Sequence, residues 1–207
     1  MPGYFITFEG IEHCGKTTQS EALVDSLRSD GYNLVLTREP GGTPLGHSIR
    51  DLLLHQSSAQ VDPVAELLLF AADRAQHVNT VIRPALAAGK IVISDRFYDS
   101  TRAYQGYGRE IPIDLIDRAI LLATGGLTPD LSILVDIDLA TSRLRSADET
   151  DDRIEQSHDS FFERVREGFR TIALAEPERF LILDGAESIA EVARRIYVET
   201  AKKLAER

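Results

Sequence analysis

Gly10, Ile11, Glu12, His13, Cys14, Gly15, Lys16 and Thr17 place two glycines either side of four residues and follow the second with lysine and threonine. An apolar run at residues 4–8 precedes them, and Leu23, Val24 and Leu27 recur at helical spacing after them. Glycines open backbone angles closed to other residues, so successive N–H groups can turn inward on an oxyanion. A helix starting there adds the positive end of its dipole. Lys16 brings a point charge suited to the outer phosphates of ATP, and the Thr17 hydroxyl is a hard ligand for Mg2+. The letters and their strand–loop–helix setting define a P-loop over residues 10–17, with Thr18 counted in the nucleotide-binding set. A plain Gly-rich turn is the competing reading, and the setting disfavours it.

A P-loop alone does not say kinase. The Asn-Lys-x-Asp motif that reads guanine in GTPases does not occur, which disfavours a GTPase switch. The apolar run at 90–94 ends in Asp95, Arg96 and Phe97 rather than in the Asp-Glu pair usual for motor-like ATPases. Asp95 at a strand end can share the magnesium shell with Thr17, and Arg96 beside it can grip phosphate oxygens. A surface ion pair is the plain alternative for Asp95 and Arg96.

The elements that must position these groups are readable from periodicity. Short apolar runs at 4–8, 33–37, 90–94, 131–135 and 180–183 are expected strands, separated by longer segments with helical spacing. Phe162, Val165, Phe169 and Ile172 share one helical face. Ile189, Val192, Ala193, Ile196 and Thr200 share another, opened by a capping box of Ser188 and Glu191. Strands alternating with helices give an α/β fold with a parallel sheet covered on both faces. The polar run at 146–152 interrupts the pattern and is expected to be a mobile loop.

The chain has 207 residues, room for one domain over 1–207, and 43% hydrophobic residues, enough for a core. Its 23 Lys and Arg against 33 Asp and Glu give a formal charge of -10, which excludes holding a nucleic-acid polymer by bulk electrostatics. A small phosphorylated ligand remains open to a few clustered cations. The single cysteine, Cys14, excludes an internal disulfide and suits a reducing compartment. With no basic, apolar leader pattern at the start and no run of about 20 apolar residues, a cytoplasmic protein without a membrane span is expected.

Five separated segments carry a resemblance to the thymidylate kinase family, in that family's order. They are Phe8 to Glu12 before and inside the P-loop; Thr37, Arg38, Glu39, Pro40, Gly41, Gly42 and Thr43; Phe70 with Arg74; Asp95, Arg96, Phe97, Ser100, Ala103, Tyr104 and Gln105; and Asp152, Arg153, Ile154 and Glu155. The resemblance implies a P-loop NTPase fold of three α/β/α layers, a five-stranded parallel sheet and a small mobile lid at about 143–155. It implies transfer of the γ-phosphate of ATP to dTMP, giving dTDP, and a homodimer. Phe70 and Arg74, four apart on one helix face, then offer a ring for the base to stack on and a donor for a base carbonyl. Without the resemblance, Phe70 reads as core with Leu67 and Ala71. Gln105 is implied to pair with the base edge through its amide, Tyr104 to crowd the 2′ position of the sugar, and Ser100 and Thr101 to orient the base. Arg50 and Arg96 are implied to hold the substrate phosphate, Glu39 and Arg38 to shape the acceptor site, and Glu12 to orient the substrate. A strong general base is not required, because the attacking phosphate oxygen is already ionised at neutral pH.

Two features depart from the family pattern. After the P-loop carboxylate stand His13 and Cys14 where members usually carry Gly-Ala, or Arg in a second class. The lid keeps Arg143, Arg145 and Arg153 but is acidic between them at Asp148, Glu149, Asp151 and Asp152. The expectation is that Arg153, helped by Arg143 or Arg145, supplies the lid cation and that His13 adds a pH-dependent charge. A spectator imidazole is the alternative. Rival functions are a kinase for another nucleoside monophosphate and a nucleotide-binding regulator without catalysis. The helix around 45–54, with Ile49, Leu52 and Leu53, is a candidate dimer surface, or else core.

Overall fold

A computed structural model describes residues 3–54, 61–146 and 152–206. In chain order the elements are β1 (Tyr4–Glu9), α1 (Lys16–Ser29), β2 (Leu34–Arg38), α2 (Pro44–Leu54), α3 (Pro63–His77), a π-helical turn (Val78–Ile82) and α4 (Arg83–Ala87). Then come β3 (Ile91–Asp95), α5 (Tyr98–Thr101), a second π-helical segment (Arg102–Gly108), α6 (Ile113–Thr124), β4 (Leu131–Asp136), α7 (Leu139–Arg145), α8 (Asp159–Ala175), β5 (Phe180–Asp184) and α9 (Ile189–Ala205). All five strands pair in parallel, in the order β2-β3-β1-β4-β5. The expected α/β/α sheet is present. Each strand runs one residue past the end of its apolar run, and that residue is charged every time: Glu9, Arg38, Asp95, Asp136 and Asp184. The hydrophobic effect writes the body of each strand, while the C-terminal edge faces the crevice where ligands of such sheets bind.

Central β1 is buried at all six positions, as a parallel strand covered on both faces must be. Phe5 and Val92 pack with Val78, Ile82, Ile116 and Ile120 in one cluster; Ile6, Phe8 and Ile93 share another with Leu23, Val24, Leu27, Val192 and Ile196. Each such side chain, fully removed from water, contributes about 1.5–3 kcal/mol before entropy is counted. The hydroxyls of Thr7 and Ser132 inside the sheet satisfy each other at 2.8 Å.

Helix starts follow local chemistry. Asp62 Oδ1 accepts from the amides of Val64 and Ala65, with Pro63 in the first turn, and so launches α3. Ser188 Oγ accepts from Glu191 N, but the Glu191 carboxylate pairs with Arg194 instead of reaching back, so only half of the expected capping box forms. Ile189, expected on the buried face of α9, is 65% exposed, whereas Val192, Ile196 and Thr200 of the same expected face are buried. Ile49 and Leu53 of α2 belong to the core, which removes them from the expected dimer surface and leaves Leu45 and Leu52 outside.

Candidate active site

The loop after β1 turns back on itself. Gly10 has φ +140°, and a Cβ there would sit 2.5 Å from Val135 O; Gly15 has φ +101° and opens α1. His13 stands in the same left-handed region, at φ 55°, without being glycine. Lys16 is buried and folds over the loop, its Nζ donating to Ile11 O at 2.7 Å and to Cys14 Sγ at 3.5 Å. Thr17 Oγ1 donates to Asp95 Oδ2 at 2.7 Å, so two residues 78 apart in sequence meet at the mouth of the loop. Hard oxygen donors of this kind suit Mg2+, which keeps several waters and takes phosphate oxygens rather than a full protein cage. Among the described residues no group of three or more His, Cys, Asp or Glu side chains could hold a metal.

From the P-loop a cleft of about 320 Å³ runs past Arg38, Glu39, Arg50, Asp95 and Arg96 to Phe70, Arg74, Ser100, Thr101, Tyr104 and Gln105. The sequence candidates for the acceptor side therefore converge. Arg96 has φ 71°, a conformation that costs a side-chain-bearing residue roughly 1–2 kcal/mol. Its guanidinium offsets that with bonds to Gly10 O, Ser100 Oγ and Glu12 Oε1, and it stacks on the Tyr104 ring at 5.1 Å. Tyr104 OH donates to both oxygens of Glu12, at 2.6 and 2.7 Å. Arg50 Nη1 donates to Pro40 O; burial first, then Arg38 and Arg96, depress its pKa. Crowded, half-desolvated guanidiniums are a standing demand for an anion.

Several expected base contacts are already occupied by the protein. Arg74 is buried and donates through Nε to Glu39 Oε2 at 2.8 Å, through Nη1 to Thr101 Oγ1 and through Nη2 to Phe97 O. Glu39 in turn meets His77 Nδ1 at 2.9 Å, and His77 Nε2 meets Thr37 Oγ1 at 2.6 Å. Thr101, expected beside the base, lines the cleft and also accepts from Arg74. Ser100 donates to Glu9 Oε2 at 2.6 Å. Gln105 Nε2 donates one N–H to Glu66 Oε1 at 2.8 Å, which fixes the end of the amide that faces away from the acid as the oxygen. Phe70 is half-buried on the cleft wall, whereas Leu67, its expected core partner, lies in the opposite cluster.

The lid arginines divide. Positions two apart on a helix point about 200° apart, so on α7 Arg143 turns to Asp159 and the Phe162 ring. Arg145 instead lies on the P-loop, donating to His13 O, Cys14 O and Gly185 O. Arg153, expected as the lid cation, is held away from the loop by Leu53 O and by Glu66 Oε2 at 2.6 Å, because the buried carboxylate captures it. His13 Nε2 approaches Glu155 Oε1 at 3.3 Å, so the unusual imidazole meets the lid's own carboxylate. Asp152 donates its amide to Glu155 and caps the turn that follows; Asp148, Glu149 and Asp151 lie outside the described residues.

Three buried acids were not singled out by sequence. Glu9, at the end of β1, receives Phe97 N and Ser100 Oγ; burial and then Asp99 raise its pKa to about 8. Asp73 accepts from Gly41 N, and burial and then Glu39 raise its pKa to about 7. Glu66 gathers Gln105, Arg109 and Arg153. An acid directly at the end of an apolar run, as Glu9 is, was the available signal.

A P-loop joined through a guanidinium cluster to an aromatic–amide pocket defines an ATP-dependent phosphotransferase of the P-loop kinase class. The family model described as thymidylate kinase matches residues 8–196. Among curated relatives, the thymidylate kinase of Geobacter sulfurreducens is 48% identical over 94% of each chain, and that of Synechococcus sp. (strain JA-3-3Ab) is 52% identical over 93% of each. The crystal structure of thymidylate kinase from Ehrlichia chaffeensis superposes with a TM-score of 0.80 at 39% identity, covering 98% of this chain and 99% of that one. The chain belongs to the thymidylate kinase family.

Proposed function

We propose that the protein, a single domain over 1–207, transfers the γ-phosphate of ATP to dTMP and releases dTDP and ADP. The observation that carries this reading is the continuous cleft in which Lys16 and Thr17 stand at one end, Phe70, Arg74 and Gln105 at the other, and Arg50 and Arg96 between. The P-loop amides and Lys16 hold the β- and γ-phosphates, with Arg145 closing over the loop rim. Arg96 and Arg50 fix the acceptor phosphate in line with the γ-phosphate, and Glu12, steadied by Tyr104, orients Arg96. Phe70 stacks on the base, and Arg74, held by Glu39 and Thr101, presents its remaining N–H hydrogens to a base carbonyl. Thr17 and Asp95 would hold Mg2+, which supplies charge neutralisation between the phosphates when bound. No proton need be abstracted, so positioning and charge account for the rate. The test is ADP release that requires both dTMP and magnesium. ATP binding with no ADP formed in their presence would favour a regulator without catalysis.

A second copy of this chain is the proposed partner. Val64 and Leu68 on α3, Leu115 and Leu122 on α6, and Leu45 and Leu52 on α2 are exposed at one-turn or two-turn spacings, and α3 packs on both α2 and α6. Leu122 is 87% exposed. Such adjoining stripes suit an isologous interface, and Leu122→Glu should yield a monomer in sedimentation. A cytoplasmic location fits the free, buried Cys14.

A further inference from the structure

Glu66 stands on α3 one turn before Phe70 and is 1% exposed, yet it touches neither the P-loop nor the phosphate cluster. Burial pushes its pKa upward, but Arg109, Arg153 and Gln105 outweigh that, and the carboxyl is held below its ordinary range. It is therefore an anion at neutral pH. An ionised carboxylate only accepts hydrogen bonds. Oε1 takes Gln105 Nε2 at 2.8 Å and Arg109 Nε at 3.2 Å; Oε2 takes Arg109 Nη2 at 3.2 Å and Arg153 Nη2 at 2.6 Å. Which end of the Gln105 amide faces Glu66 is thus fixed by chemistry: the oxygen would meet a negative charge.

We propose that Glu66 is a specificity-determining positioning residue, which by holding one N–H of the Gln105 amide turns the amide oxygen towards the base. The cleft then favours a pyrimidine carrying N–H at ring position 3 over one with a bare nitrogen there, as in cytosine. Arg74 reads the neighbouring carbonyl independently, so the two contacts act together against the amino-pyrimidine. Arg109 and Arg153 keep Glu66 charged and in place; Arg109 is itself seated on the Phe161 ring at 4.5 Å. The inference rests on the nucleotide-kinase reading above.

The probe is 5-methyl-dCMP, which keeps the 5-methyl group of dTMP and turns position 3 from donor to acceptor. In Glu66→Gln the side chain can offer either amide end, so Gln105 is free to rotate. The ratio of kcat/KM for 5-methyl-dCMP over dTMP should rise about tenfold or more, with Arg74 retaining part of the discrimination. Glu66→Asp, which keeps the charge but draws it back one methylene, should move the ratio in the same direction by a smaller factor. Both substrates are measured on one sample, so the ratio is independent of the folded fraction. Wild-type turnover of dTMP with ratios unchanged in both variants overturns this role for Glu66 alone. A wild-type enzyme that does not phosphorylate dTMP overturns the kinase reading and this inference with it.

Discussion

The two ends of the cleft are built on different principles. At the phosphate end the working groups are near neighbours in sequence: Gly10, Gly15, Lys16 and Thr17 lie in one turn, and Lys16 rests on carbonyl and thiol groups of its own loop. At the base end the polar groups Arg74, Gln105 and Ser100 are held by buried acids from elsewhere: Glu39, Glu66 and Glu9 respectively. A phosphate needs a dense, forgiving shell of N–H groups and charge. A base needs a donor or acceptor facing one way, and the side chains bonded behind that group fix its direction. The first end therefore sets the reaction and the second sets the substrate.

The largest expected effect breaks the phosphate end. Lys16→Ala should lower kcat by about 10²–10³-fold while leaving the dTMP-over-dCMP preference in place, since the lost charge faces the transferring group. Phe70→Ala should raise KM for dTMP by about 10–100-fold, the usual worth of an aromatic stack, with a smaller change in kcat. The opposite order of these two kinetic patterns would relocate the base pocket.

How much of this was legible follows the same division. Periodicity located every strand body but stopped before Glu9, Arg38, Asp95, Asp136 and Asp184, the charged ends that line or approach the site. The P-loop was readable because its bonds are local. Gln105's fixed amide was not, because Glu66 lies 39 residues away and reaches it only through the packing of α3 on the π-helical segment. Arg143 and Arg145 could not be separated by composition; helix phase decides which one meets the loop. Arg153, expected at the loop, has for its partner here a carboxylate distant in sequence, which composition does not reveal.

Smaller effects sharpen the comparison through protonation. Glu9 and Asp73 have folded pKa values raised to about 8 and about 7, from ordinary values near 4.5 and 3.8. Between those limits the folded state binds more protons than the unfolded one, so the contribution of these two acids to stability is full below about pH 4 and is lost as pH rises through 7 and 8. Each group can contribute a slope of up to about 1.4 kcal/mol per pH unit. Glu9→Gln, close in shape to the protonated acid, should flatten the dependence of Tm on pH between 6 and 8.5. A slope as steep as wild type would mean that Glu9 does not titrate there. The smallest effect is expected at His13: glycine suits φ 55°, so His13→Gly should fold normally while losing the contact to Glu155. Turnover between pH 6 and 8 reads the consequence, and an unchanged profile removes His13 from the mechanism.

The most direct test of a generic phosphate end joined to a selective base end is one wild-type assay of ADP release across dTMP, dUMP, dCMP and CMP at fixed ATP and magnesium. The account predicts the highest kcat/KM for dTMP, with the cytosine nucleotides at least about a hundredfold lower. Comparable values for dTMP and dCMP would contradict it.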